Sequence, residues 1–193
     1  MSVPWQDVNP GVTARHYSVL IAWMTEVCKD VSVSSATTFA SVAMVLETLP
    51  KLPLDATSSL QTLGVTCIFL ACKLHELAVP SLRSLVWYTA GASTEAAVNE
   101  MEHAVVACIP TMRLEFLDAI LQRVGDRPPV KALQVAIKCL PHVHILTQYT
   151  WDVLAEAVVA ISSDDETGRP SCPEVAQAIQ AVRDAAEKPA ADA

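Results

Sequence analysis

The chain is short of aromatic residues, of glycine and of positive charge, and each shortage removes a class of protein. Aromatics make up 5% of its 193 residues, so the interior must be built from alanine, valine and leucine, which suits packed helices. Five glycines leave no glycine-rich loop to cradle a phosphate, and no pair of carboxylates falls on an apolar cleft-forming stretch. Catalysis is therefore not expected, and no cofactor is implied. Lys and Arg number 13 against 21 Asp and Glu, a net charge of −8, with no basic run; phosphate contacts need clustered cations, so direct nucleic-acid binding is disfavoured. No apolar run is long enough for a membrane span, and the first residues lack the charged-then-apolar order of a signal peptide. Cys28, Cys67, Cys72, Cys108, Cys139 and Cys172 stand singly, as free thiols of a reducing compartment do. Cys139, His142 and His144 form a C-x-x-H-x-H run, but three ligands around a proline do not make a metal site.

What the sequence does have is apolar residues, 52% of the chain, recurring at helical spacing. The centre is the stretch from Asp55 to Leu77. There Leu60, Leu63, Gly64, Cys67, Leu70, Ala71 and Leu74 form one helical face, while Val65, Ile68, Phe69 and Cys72 fill the others. A helix apolar all round is wrapped by other helices. Its apolar run stops at Lys73, a charge that needs an answering group nearby if it is desolvated.

Around this hub the spacing predicts four more helices. The first runs from Ala14 to Asp30 behind Thr13, with Tyr17, Leu20, Ile21, Met24, Val27 and Cys28 inward. The second opens at Ser34 or Ser35 and ends at Pro50. A short one follows Pro80, through Leu85, Val86, Trp87 and Tyr88, to Gly91. The fifth starts at Ser93 with Ala97, Met101, Ala104, Val105 and Cys108 inward and ends at Pro110. Beyond Leu114 come helical stretches at Leu114–Val124, Val130–Leu140, Trp151–Ile161 and Pro173–Ala186, separated by breakers and the acidic run SSDDETGRP. The expected fold class is all-α, in four parts: a polar lead-in over 1–13, a helical domain over 14–110, a shortened copy of it over 111–187, and a disordered tail over 188–193.

The stretches IAWMTEVC, LQTLGVTCIFLACKLHE and WYTAGASTEAAVNEMEHAVV, in that order and at that spacing, resemble the first helical repeat of the cyclins, the cyclin box, over Arg15 to Ile109. Within that family they look most like the D-type and herpesvirus cyclins. The resemblance implies a cyclin fold, with the second half a degenerate second repeat. It also implies a non-enzymatic regulatory subunit that forms a heterodimer with a cyclin-dependent kinase, activates it and acts in cell-cycle control in nucleus and cytoplasm, with no membrane partner. Lys73 and Glu102 match the lysine and glutamate by which cyclins contact the kinase's mobile helix, with Leu70, Leu74, Glu76 and Val106 beside them. The implied mechanism is selective binding of the kinase's active helix position.

A second implied site is the substrate-docking patch of the first helix. Here its positions read His16, Tyr17, Ser18, Val19 and Leu20, with Trp23 and Gln61 kept. The arginine usual in the patch is replaced by Tyr17, and its usual aspartate partner by Glu47, so docking of an Arg-x-Leu peptide should be weak or altered. Barely a dozen residues precede the box, fewer than the N-terminal helix of most cyclins needs, which implies a smaller kinase interface. The alternative reading is a cyclin-fold scaffold or transcription-related module that activates no kinase; the acidic charge disfavours its DNA-gripping form.

Overall fold

The computed structural model describes residues 3–56, 59–109, 115–125, 129–163, 170 and 172–187. Among these residues there are ten helices and no strand, and the chain divides into two compact units, Met1–Arg113 and Leu114–Ala193.

The first unit holds α1 (Ala14–Asp30), α2 (Ser35–Thr48), α3 (Ser59–His75), α4 (Leu82–Trp87) and α5 (Glu95–Cys108). α3 packs against all four of the others, because it has an apolar side chain to offer in nearly every direction. Leu60, Leu63, Gly64, Cys67, Leu70 and Ala71 are buried along one stripe, and Val65, Ile68 and Cys72 on the remaining faces. The wrapping is incomplete at one edge. Phe69 is only half-buried and Leu74 is 62% exposed, so the all-round burial expected from the sequence fails over the last two turns.

Local chemistry sets the helix starts. Thr13 Oγ1 accepts from the His16 amide at 3.2 Å while His16 Nδ1 accepts from the Thr13 amide at 3.2 Å, a reciprocal cap that fixes where α1 begins. α1 buries the whole expected stripe from Tyr17 to Cys28. α5 is capped by Thr94, whose hydroxyl accepts from the Ala97 amide at 3.1 Å, rather than by Ser93, which is buried. Its inward set also differs from expectation: Val98 and Val105 are buried, while Met101, Ala104 and Cys108 are only half covered.

Residues 3–12 are packed into this unit instead of leading into it. Trp5 is fully buried, stacks on Tyr17 with ring centroids 5.2 Å apart, and donates its indole N–H to Val12 O at 2.8 Å. Asn9, 4% exposed, donates to Leu49 O at 2.7 Å and Leu52 O at 2.9 Å, and accepts from Leu54 N at 2.8 Å. One amide thus satisfies three backbone groups where α2 exits into its loop, groups that burial would otherwise leave orphaned.

The second unit holds α6 (Glu115–Val124), α7 (Val130–Cys139), α8 (Val143–Gln148), α9 (Trp151–Ser162) and α10 (Pro173–Glu187). α9 packs against α6, α7 and α10 through buried Leu154, Ala155, Ala157 and Val158, and Trp151 stacks on Phe116 at 5.3 Å between centroids. The six-residue α8 has too little length to show a period in sequence. No helix among the described residues is long and apolar enough to cross a membrane. The expected stop at Pro110, the breaker at 126–128, the acidic loop at 164–169 and the tail from 188 lie outside the described residues.

Candidate functional site

α3 and α5 bring Lys73 and Glu102 together. Lys73 Nζ donates to both carboxylate oxygens of Glu102, at 2.6 and 2.8 Å, and sits 4.2 Å above the centroid of the Phe69 ring. The sequence suggested two separate charges, each awaiting a partner; the fold pairs them with each other. The side chains are 39% and 24% exposed, so the pair stands at the rim of the surface. Helical spacing builds its setting: Phe69 and Lys73, Leu70 and Leu74, and Glu102 and Val106 are each one turn apart on a single face. Leu70 lies beneath at 8% exposure, while Leu74 at 62% and Val106 at 56% stand out on either side.

Glu76 is engaged elsewhere. Its carboxylate accepts from the Ser34 amide at 2.7 Å and from the Thr37 hydroxyl, at the N-terminal end of α2, where the helix dipole favours an anion. The Thr37 bond first, then those from Ser34, hold its carboxyl below the usual range. The resemblance placed Glu76 beside Lys73 and Glu102, and could not show a contact with residues some forty positions earlier. Only Leu85 of α4 is buried, and Leu77, Val79 and Trp87 stand exposed at 108%, 42% and 77%.

A second feature lies on α1. Val19, Leu20 and Trp23 with Leu60 form the apolar floor of a groove of about 470 Å³, closed at its edges by Gln61 and by Arg15 and His16. Four of its lining residues, with His16, were expected from sequence as the docking patch; Arg15 and Leu60 were not. Val19, which lies off the buried stripe of α1, is 51% exposed. The floor exists because α1 and α3 approach closely at Gly64. A Cβ there would lie 2.9 Å from Leu20 Cδ1, 3.1 Å from Trp23 Cζ3 and 3.2 Å from Met24 Sδ. Of the two substituted patch positions, Tyr17 turns fully inward, where desolvation drives its phenol pKa up, and Glu47 pairs with Lys51 at 2.9 Å.

Burial pushes the thiols up, Cys28 to about 11 and Cys72 and Cys139 each to about 12, which leaves them without thiolate character. Among the described residues no three His, Cys, Asp or Glu side chains group as metal ligands.

The family model described as the N-terminal domain of cyclins matches residues 2–109, which takes in the packed N-terminal segment as well as all five helices. A G1/S-specific cyclin E of Drosophila melanogaster is 25% identical over 69% of the chain, and a G2/mitotic-specific cyclin B of Dictyostelium discoideum is 33% identical over 51%. Cyclin A2 of Xenopus laevis is 25% identical over 82%. The matches span 20%, 22% and 40% of those proteins' own lengths. Among solved structures, a viral cyclin from herpesvirus saimiri aligns with a TM-score of 0.81 over 96% of this chain and 90% of its own, at 15% identity, a likeness of fold.

Proposed function

The chain belongs to the cyclin family, and from that premise we propose that it is a regulatory subunit that binds and activates a cyclin-dependent kinase through the α3–α5 face, and takes up docking peptides in the α1 groove. The observation that carries the reading is the Lys73–Glu102 pair, held in two hydrogen bonds between exposed Leu74 and Val106. Because the two side chains order each other before any partner arrives, docking loses less rotamer entropy. The ammonium keeps a third proton, and the carboxylate keeps unused lone pairs. The pair can therefore bond a partner's backbone or side chains without separating, and the apolar residues on either side exclude water from those bonds. Charges so placed set register more than raw affinity.

The activating step is a population shift. A kinase whose regulatory helix samples two positions is drawn to the one that completes its phosphoryl-transfer site only if this face binds that position better. Glu76, already bonded to α2, supports the face by holding the end of α3 rather than by touching the partner.

The test is a kinase pull-down and a phosphoryl-transfer assay with Lys73→Ala combined with Glu102→Ala. Removing both partners leaves no lone buried charge, so the chain folds, while kinase affinity falls by about 2 to 5 kcal/mol. Undiminished binding by the double variant would sink the reading. Binding without any rise in kinase activity would favour the scaffold reading instead.

A further inference from the structure

Resting on the kinase reading of the α3–α5 face, we infer that Thr37 is a positioning residue for kinase activation: from a fully buried place on α2 it holds Glu76, and through Glu76 the last turn of α3 that carries Lys73 and Leu74. The first observation is how little else holds that turn. Ala71 and Cys72 are buried, but from Lys73 to Val79 no residue is. Among the described residues, hydrogen bonds with other helices reach this stretch at two places: Lys73 with Glu102 of α5, and Glu76 with Ser34 and Thr37 at the start of α2. A helix end so thinly packed opens readily unless its few polar links hold it.

The second observation is the series of hydrogen bonds behind Glu76. Thr37 is 0% exposed, and its hydroxyl proton goes to the Glu76 carboxylate. The Ser34 hydroxyl, 3.0 Å from Thr37 Oγ1, is then the donor of that pair, while Ser34 Oγ accepts from the Thr37 amide at 3.2 Å. Donors in series strengthen one another, and the last bond ends on a charged acceptor, the strong kind. Thr38, next along α2, turns its hydroxyl back to Ser34 O at 3.2 Å, as a threonine within a helix ordinarily does. Thr37 sends its proton across to the other helix instead.

The third observation is how the hold is transmitted. The Glu76 amide donates to Cys72 O at 2.9 Å, which extends the α3 ladder past His75, and Lys73 stands three residues before Glu76, within one turn of helix. The turn is therefore pinned to α5 at Lys73 and to α2 at Glu76. With Glu76 released it hangs from the Lys73 pair alone and spends a smaller share of its time in the docking position. A face competent for only a fraction of the time loses apparent affinity by that fraction. Thr37 acts on the kinase only in this way, because a fully buried side chain meets no partner.

The experiment is a calorimetric titration of a purified cyclin-dependent kinase, one that the parent chain retains in pull-down, with the full chain and its variants, each at a temperature where urea titration shows it folded. Thr37→Val matches the shape of threonine and lacks the proton. Its kinase affinity should fall by about 3- to 10-fold, as if the docking position were occupied roughly a tenth to a third of the time. Thr37→Ser keeps the donor and should restore the affinity. Ser34→Ala, at an exposed position, removes the first bond of the series and should lose about twofold, which decides the matter if Thr37→Val does not fold. Glu76→Ala should lose as much as Thr37→Val, and the two together no more than either. Unchanged affinity in Thr37→Val and Ser34→Ala, with Lys73→Ala plus Glu102→Ala still weakened, would overturn the inference and leave the kinase reading standing. Tighter binding by Thr37→Val, or losses that add to that of Glu76→Ala, would also overturn it, by making Glu76 a direct contact of the kinase. A parent chain that retains no cyclin-dependent kinase would remove the kinase reading itself, and the inference with it.

Discussion

Gly64→Ala sets two effects of similar size against each other, and the structure says which wins. In the middle of α3 the substitution gains about 1 kcal/mol of helix propensity. The new Cβ, however, meets Leu20 Cδ1 at 2.9 Å, with Trp23 Cζ3 and Met24 Sδ at 3.1 and 3.2 Å. Carbon pairs settle at about 3.5 to 4.0 Å, so Leu20 must retreat by roughly 0.6 to 1.1 Å. Leu20 is 4% exposed and Met24 fully buried, so neither can yield toward solvent. Only Trp23, half-buried at the groove, can swing outward. Overpacking of this kind costs about 1 to 3 kcal/mol, and the net expectation is a loss of about 1 kcal/mol, a fall of about 4 °C in Tm for a unit of this size. Urea unfolding followed by far-ultraviolet circular dichroism measures it. In a Leu20→Ala background the tightest contact is gone, and the same glycine substitution should become neutral or stabilising. A Gly64→Ala chain about 1 kcal/mol more stable than the parent would mean that propensity acts alone and that α1 does not press on α3 here, which would refute the packing argument for the groove.

Other perturbations separate the surfaces from the scaffold. Ile68→Ala, at a fully buried position, should cost about 2 to 5 kcal/mol, whereas Phe69→Ala should cost about 1 to 2, short of the 3 to 5 of a buried phenylalanine, because its ring is half-open; thermal unfolding of the two variants gives the comparison. Lys73→Ala should destabilise the free chain by about 1 to 2 kcal/mol, from a partly exposed ion pair and the contact with Phe69, and a double-mutant cycle with Glu102→Ala should return a coupling of about 0.5 to 1 kcal/mol. Asn9→Ala leaves three backbone groups unanswered and should cost about 1 to 3 kcal/mol in denaturant titration. Glu76→Gln tests the cap of α2 by pH: the folded carboxyl lies below its ordinary 4.5, so the parent's advantage is full above that value and is lost as pH falls through the lowered one. An advantage that persisted unchanged to the lowest pH at which both chains fold would show that the charge of Glu76 is not what α2 uses.

How much of this was legible in the sequence follows from the range of each interaction. α1 could be read to its ends because its determinants are local: the cap between Thr13 and His16, and a stripe repeating every turn. The groove residues were named through the resemblance and not from that stripe, which Val19 and Trp23 break on the outer face. The pairing of Lys73 with Glu102 and the use of Glu76 by α2 were not legible. Each joins residues remote in sequence, and nothing in a helical period says which of two exposed faces will meet. Phe69 misled because apolar character predicts burial only when something covers it. Trp5 and Asn9 went unread because a polar, proline-containing stretch has the composition of a loop whether or not its few large side chains find a pocket.

The packed N-terminal segment also orders events in time. Asn9 bonds to residues 40 to 45 positions later, so this segment is synthesised before the residues that seat it. At about 5 to 20 residues per second, roughly 2 to 9 s separate the translation of Asn9 from that of Leu54. Through that interval Trp5 has no finished seat, and α1 waits with its Tyr17 face uncovered. The segment around Asn9 is completed only by residues made after it, so its seating in the first unit waits on the emergence of the α2 exit.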